Sequence, residues 1–290
     1  MYEPNRLREP ILDWYSENAR DLPWRRTDAT PWGVLVSEIM LQQTPVARVL
    51  PIWTMWMVRW PTPADLAAES SGEAVRHWGR LGYPRRALRL HGCAQAIVAD
   101  HGGEVPSDYT TLRSLPGIGD YTAAAVASFA YGKSHAVLDT NVRRVLARAV
   151  SAEEFPPNAT TSAERRIAEA LIPPVGAARW AVAVMELGAL VCTARAPRCA
   201  DCPIKARCAW HLAGKPAYDG PARKGQTYEG TDRQCRGRLL AVLRQAHGAV
   251  PKAALDVVWH DSVQRERALD GLISDGLAEA LDGDSYRLPV

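Results

Sequence analysis

Apolar residues in this chain recur three and four positions apart along most of its length, and runs alternating apolar with polar residues are scarce. That spacing is helical, because side chains three and four apart share one face at 3.6 residues per turn. Thr30 followed by Pro31 combines a cap with a first-turn proline, and predicts a helix running to Gln43, with Thr44-Pro45 ending or kinking it. The same pattern predicts helices over Ala64–Glu69, Gly72–Gly79, Arg85–Asp100, Thr110–Leu115, Tyr121–Ala130, Asn141–Ala149, Ser162–Leu171 and Ala177–Leu187. Residues 1–212 therefore read as one all-α body, in two lobes around a cleft. From 213 to 231 the chain turns rich in Gly, Pro, Lys and Arg, the composition of a linker.

Residues 232–290 read as a second, smaller domain. Helices are predicted over Arg233–Ala246, Pro251–Trp259 and Ser262–Asp275, then a β-hairpin whose strands, Leu277–Leu281 and Ser285–Leu288, flank an Asp282-Gly283-Asp284 turn. Three helices and a terminal hairpin form a winged-helix-like pattern. On the last helix Gln264, Arg265 and Arg267 lie opposite a core face of Val263, Leu269, Leu272 and Ile273, and the arginines are expected to meet phosphates. Lys215, Arg223 and Lys224 in the linker are suited to follow a nucleic-acid backbone. A protein partner would suit this domain as well as DNA.

The formal charge of the 290 residues is only +3, so any nucleic-acid binding must use local patches or backbone amides rather than bulk charge. Residues 1–10 carry no apolar run of the secretory kind, and no segment has the uninterrupted apolar length of a membrane span. Of six cysteines, four fall within residues 192–208. That leaves no disulfide framework and points to a reducing, cytoplasmic compartment.

Those four, Cys192, Cys199, Cys202 and Cys208, read C-x6-C-x2-C-x5-C and carry the strongest chemical signal in the chain. Zinc sites usually show two close pairs, whereas here a single close pair has one cysteine on each side. The spacing suits a [4Fe-4S] cluster, with zinc as the alternative. Arg195, Arg198, Lys205 and Arg207 are interleaved with the thiolates and would offset their charge.

Leu115-Pro116-Gly117-Ile118-Gly119 separates two predicted helices. Gly117 and Gly119 permit a backbone that aims amide N–H groups at a phosphate, although an ordinary helix–helix turn would look alike. Asp139 stands before a helix, where an aspartate is either a cap or a carboxylate presented to a substrate. Glu38 lies in an apolar stretch, Val34 to Leu41, on a face with Leu35, Leu41 and Gln42. A desolvated carboxyl holds its proton and can act as a general acid; the other reading is a buried structural hydrogen bond. A proton-holding Glu38 and an ionised Asp139 are the pair needed to break a glycosidic bond. Most of the tryptophans at 14, 24, 32, 53, 56 and 60 read as core.

Taken together, Leu22-Pro23-Trp24-Arg25, Ser37 to Thr44, Leu81-Gly82-Tyr83, Leu115 to Gly119, Asp139-Thr140-Asn141-Val142, Leu187-Gly188-Ala189 and the cysteine loop resemble helix-hairpin-helix DNA glycosylases of the endonuclease III superfamily, and most closely their MutY-type adenine branch. The resemblance covers residues 12–211, and its Met-Leu-Gln-Gln-Thr run marks the adenine branch. It implies base-excision repair of adenine paired with 8-oxoguanine or guanine in double-stranded DNA, by a monomeric, nucleoid-associated enzyme that flips the base out of the duplex. On this pattern Glu38 protonates the adenine ring, Asp139 stabilises the oxocarbenium-like sugar, and Tyr121 and Asn141 assist them. Arg25 contacts the flipped base, and Gln43, beside Gln42, wedges into the stack with Tyr83. Strand-cleaving relatives carry lysine where Tyr121 stands, so the resemblance implies base release alone. It departs in two places: Pro84 follows Tyr83 where a second tyrosine is common, and residues 232–290 stand where relatives carry a longer Nudix-like domain that reads 8-oxoguanine. A thymine or uracil mismatch glycosylase of the same fold, and a non-catalytic redox-sensitive DNA-binding protein, are the competing functions.

Overall fold

The computed structural model describes residues 5–220 and 228–290, so Arg223 and Lys224 of the expected linker track lie outside the described residues. In chain order the helices of the all-α body are α1 (Asn5–Asn18), α2 (Pro31–Leu41), α3 (Val46–Arg59), α4 (Pro63–Ala67), α5 (Ser71–Trp78), α6 (Arg85–His101), α7 (Tyr109–Ser114), α8 (Asp120–Tyr131), α9 (Thr140–Val150), α10 (Ser162–Ala170), α11 (Ala177–Leu190) and α12 (Ala209–Leu212). There follow α13 (Asp232–Gln245), β1 (Val250–Pro251), α14 (Lys252–Asp256), α15 (Ser262–Ser274), β2 (Glu279–Leu281) and β3 (Ser285–Arg287). Helix α2 stops two residues short of the expected Gln43. Helices α1 and α3 were not predicted. Pro45 proves to be the extended N-cap of α3, so the residue taken to end one helix also starts the next.

The described chain divides into two compact units, residues 5–34, 107–113 and 119–220, and residues 35–106, 114–118 and 228–290. In the first, Val142, Val145, Leu146 and Ala149 of α9 form a stripe at helical spacing. They pack with Leu7 and Ile11 of α1 and with Trp180, Ala183, Val184 and Leu187 of α11. Each of the Val, Leu and Ile side chains contributes about 1.5–3 kcal/mol on full burial. Arg8 adds a polar tie, donating to the carbonyls of Ala170, Leu171 and Ile172 at the end of α10, where cations are favoured.

The second unit has a tryptophan core. Trp56 meets Trp60 and Trp78 edge-on at centroid distances of 4.7 and 5.7 Å. The indole N–H of Trp56 donates to the His77 carbonyl, and that of Trp78 to the Gly82 carbonyl. Trp53 in this unit, and Trp24 and Trp32 in the first unit, are also buried, as their patterning predicts.

Residues 228–290 belong by their contacts to this second unit. Their three strands form an antiparallel sheet in the order β1-β3-β2, with Ala280 and Val250 both opposite Tyr286. The Asp282-Gly283-Asp284 turn joins β2 and β3 as expected, with Gly283 and Asp284 in the left-handed region. The short strand β1 was not predicted. The segment is fastened to α5 by backbone groups: the Pro289 carbonyl accepts from Gly72 N–H at 2.9 Å, satisfying one of the unpaired N–H donors at the start of that helix. Arg76 donates to the carbonyls of Arg244 and Ala246, and Arg244 Nε to Val75 O at 3.0 Å.

The polar face of α15 differs from expectation. Arg267 is a bidentate partner of Asp232, at 2.9 and 2.7 Å, and Arg265 pairs with Asp256. Gln264 binds Asp232 and the Trp259 indole, so this face ties α15 to its own domain. Val263, expected in the core, is 73% exposed.

Candidate active site

Asp139 caps α9: one carboxylate oxygen accepts from Val142 N–H at 2.6 Å and the other from the Asn141 side-chain amide at 2.8 Å. The cap reading and the substrate reading are therefore compatible, because the cap fixes the carboxylate's orientation. Burial pushes this carboxyl above the usual range, while hydrogen bonds from the Val142 and Asn141 backbone and the Asn141 side chain, together with Arg144, pull it back. Asn141 in turn accepts from Arg144 at 2.8 Å, and Arg144 also donates to the carbonyls of Gly188 and Cys192. Gly188 has no room for a side chain; a Cβ there would stand 2.7 Å from that of Asn141. Tyr121, in the first turn of α8, packs against a small cluster of Ala124, Ala125, Val137 and Ala181 in this same unit.

Arg25 also lies in the first unit, on a 3-10 turn opened by Pro23. Its guanidinium donates to Glu186 at 2.9 Å, and Arg20 grips the same carboxylate at 2.7 Å with both Nε and Nη2. Glu186 is wholly buried on α11, and these partners hold its carboxyl below the usual range against the opposing effect of desolvation. The sequence reading missed Glu186. Its signal was a single carboxylate inside the apolar run from Trp180 to Leu190.

In the second unit Glu38 is 4% exposed on α2, amid Val36, Ile39 and Met40. The next turn carries Gln42, partly buried, and Gln43, exposed with a left-handed φ of 55°. Tyr83 is half exposed and also left-handed, with φ 48°. Gly117 has φ 77°, and a Cβ there would stand 2.8 Å from that of Arg89, so only glycine fits. Gly119 is the N-cap of α8, with no side-chain cap bond, which suits amides meant for a phosphate.

Cys192, Cys199, Cys202 and Cys208 line one pocket of the first unit, floored by Val145, Leu187 and Ile204. Among the described residues no three His, Cys, Asp or Glu side chains are grouped to hold a single metal ion. Burial pushes the Cys202 thiol up to about 12, and raises Cys208 as well. The cation on this pocket's thiols is one the sequence reading missed. Arg148 of α9, almost wholly buried, donates to Cys192 Sγ at 3.4 Å, and its carbonyl accepts from Cys208 Sγ at 3.4 Å. Of the expected cations, Arg198 and Lys205 line the pocket, Arg207 turns to the Arg6 carbonyl and Arg195 is exposed.

A glycine turn between two helices, with a capped aspartate opening a later helix, is the architecture of helix-hairpin-helix DNA glycosylases. The chain belongs to the HhH-GPD superfamily of base excision DNA repair proteins, whose family model matches residues 36–174. It is 52% identical over 281 residues to an adenine DNA glycosylase of Mycobacterium tuberculosis, covering 96% of this chain and 92% of the relative. An adenine DNA glycosylase of Mycolicibacterium smegmatis is 54% identical over 271 residues, covering 93% and 91%. Among solved structures, a thermostable thymine-DNA glycosylase superposes with a TM-score of 0.66 at 30% identity, covering 72% of this chain and 97% of that one.

Proposed function

We propose that this protein is a monomeric adenine DNA glycosylase, hydrolysing the N-glycosidic bond of adenine opposite 8-oxoguanine or guanine in duplex DNA and leaving the abasic strand intact. The observation that carries the reading is the Asp139 carboxylate, oriented by Val142 N–H and the Asn141 amide. A fixed negative charge stabilises a developing sugar cation without reorganising during the reaction. Glu38, in apolar surroundings, donates the proton that makes adenine a better leaving group. Arg25, held by Glu186, meets the flipped base. Tyr121 cannot form the imine that strand cleavage requires. The mycobacterial relatives, matched over nearly their whole length, are named for adenine.

The four cysteines line one pocket, and their spacing, a single close pair with one cysteine on each side, fits a [4Fe-4S] cluster better than zinc. Cys192, Cys199, Cys202 and Cys208 would be its ligands, and the cluster would order residues 192–208 and take no part in hydrolysis.

A second reading, removal of thymine or uracil from mismatches, is favoured by the thymine-DNA glycosylase neighbour. One assay separates them: duplexes with A, T or U opposite G or 8-oxoguanine, scored for base release. Adenine release is expected; release of thymine or uracil alone would overturn the proposal.

A further inference from the structure

Arg86 is 7% exposed on α6, and among the described residues no carboxylate is one of its hydrogen-bond partners. Its guanidinium instead fans out over the two turns just described. Nη1 donates to the carbonyls of Ile39 at 2.9 Å, Met40 at 3.2 Å and Gln42 at 2.5 Å, where α2 ends. Nη2 donates to Thr44 Oγ1 at 3.0 Å and to the Gly82 carbonyl at 3.1 Å. The guanidinium carbon also lies 5.2 Å from the Trp78 ring centroid and 5.4 Å from that of Tyr83. Thr44 completes the junction, its buried hydroxyl lying 3.3 Å from both the Gln42 and Leu81 carbonyls.

Backbone strain gives an independent sign of what this junction does. Gln43 and Tyr83, one on each turn, both hold left-handed backbones that non-glycine residues avoid. Such conformations cost free energy and persist only where surrounding contacts over-determine them. Here the contacts on both sides converge on one side chain. A lysine would not replace it, since an ammonium offers three donors from one point and no plane to stack.

We propose that Arg86 is a positioning residue for duplex opening: it locks the Gln42–Thr44 and Gly82–Tyr83 turns together, so that Gln43 and Tyr83 enter the base stack as one rigid wedge. This deepens the glycosylase reading and rests on it. Arg86 touches no reacting atom in that scheme, so its loss acts on the opening of the duplex before the glycosidic bond breaks.

The test uses the full-length chain and a duplex carrying 2-aminopurine beside adenine opposite 8-oxoguanine, whose fluorescence rises when the stack opens. For Arg86→Lys the rise is expected to fall at least fivefold and single-turnover base release about 10- to 100-fold, with duplex affinity by anisotropy changed less than threefold. Thr44→Val, which removes one acceptor and leaves Arg86 in place, is expected to move both readouts the same way by a smaller factor, and it carries the test if Arg86→Lys does not fold. Folded variants with a wild-type fluorescence rise would overturn the proposal. A wild-type chain that opens the duplex but releases no base sinks the glycosylase reading alone, because the fluorescence comparison still decides the role of Arg86. One that opens no duplex overturns both.

Discussion

The side-chain amide of Asn141 donates to one Asp139 carboxylate oxygen at 2.8 Å while Val142 N–H donates to the other. The Asn141 bond stabilises the charged form, and Asn141→Ala removes it. The Asp139 carboxyl, already raised by burial, then rises further. If ionised Asp139 is required, the acid limb of the rate profile moves to higher pH in that variant. An unmoved limb would show that Asn141 does not govern this carboxylate.

Stability should move opposite to activity at the same position. A carboxyl held above its unfolded value of 3.8 binds more protons in the folded state, so stability declines as pH rises from that value through the folded one. Asp139→Asn keeps the cap acceptor and removes the ionisation. Its melting temperature at neutral pH should equal or exceed that of the wild type while base release is lost; a clear drop would mean that the charge itself stabilises the fold.

Glu38→Gln preserves shape and removes the proton. Base release should fall by ~100-fold or more, with duplex binding nearly intact. Near-native turnover would make Glu38 a structural residue.

The cysteine pocket predicts a yellow-brown protein with broad absorption near ~400 nm and about 4 Fe per chain. Cys199→Ala should lower the iron content, and stoichiometric zinc without iron would overturn the cluster assignment. Because Arg148 donates to Cys192 Sγ, Arg148→Met should hasten bleaching of that absorption in air; an unchanged bleaching rate would assign Arg148 to packing alone.

Tyr121→Lys places an amine where the strand-cleaving relatives carry one, and should yield a borohydride-trapped DNA adduct. A folded, DNA-binding variant with no adduct would turn this position away from the sugar.

Much of this was legible in the sequence because each signal was local. The Thr30-Pro31 cap, the glycine turn and the Asp139 cap depend on residues a few places apart, and the structure bears out these elements. What escaped was set by distant partners. Helix α3 hid behind Thr44-Pro45, read as an end or kink, although Val49, Trp53 and Trp56 already had helical spacing. Glu186, Arg86 and Arg148 look like ordinary charged residues until the fold brings up Arg25 and Arg20, the α2 carbonyls and Cys192. The charged face of α15 misled in the opposite sense, because Asp232 lies thirty-five residues from Arg267.

Gly72 ties the end of the described chain to α5, and a Cβ there would stand 2.2 Å from the Pro289 carbonyl oxygen. Any other residue must push that carbonyl away, at a cost of about 1–3 kcal/mol. The restriction comes from the C-terminal segment, since the helix itself would accept alanine more readily than glycine. Position 72 should therefore vary with domain content across the superfamily. A chain that keeps a segment like 228–290 is expected to require glycine there, whereas one ending in a different domain is not bound by this contact.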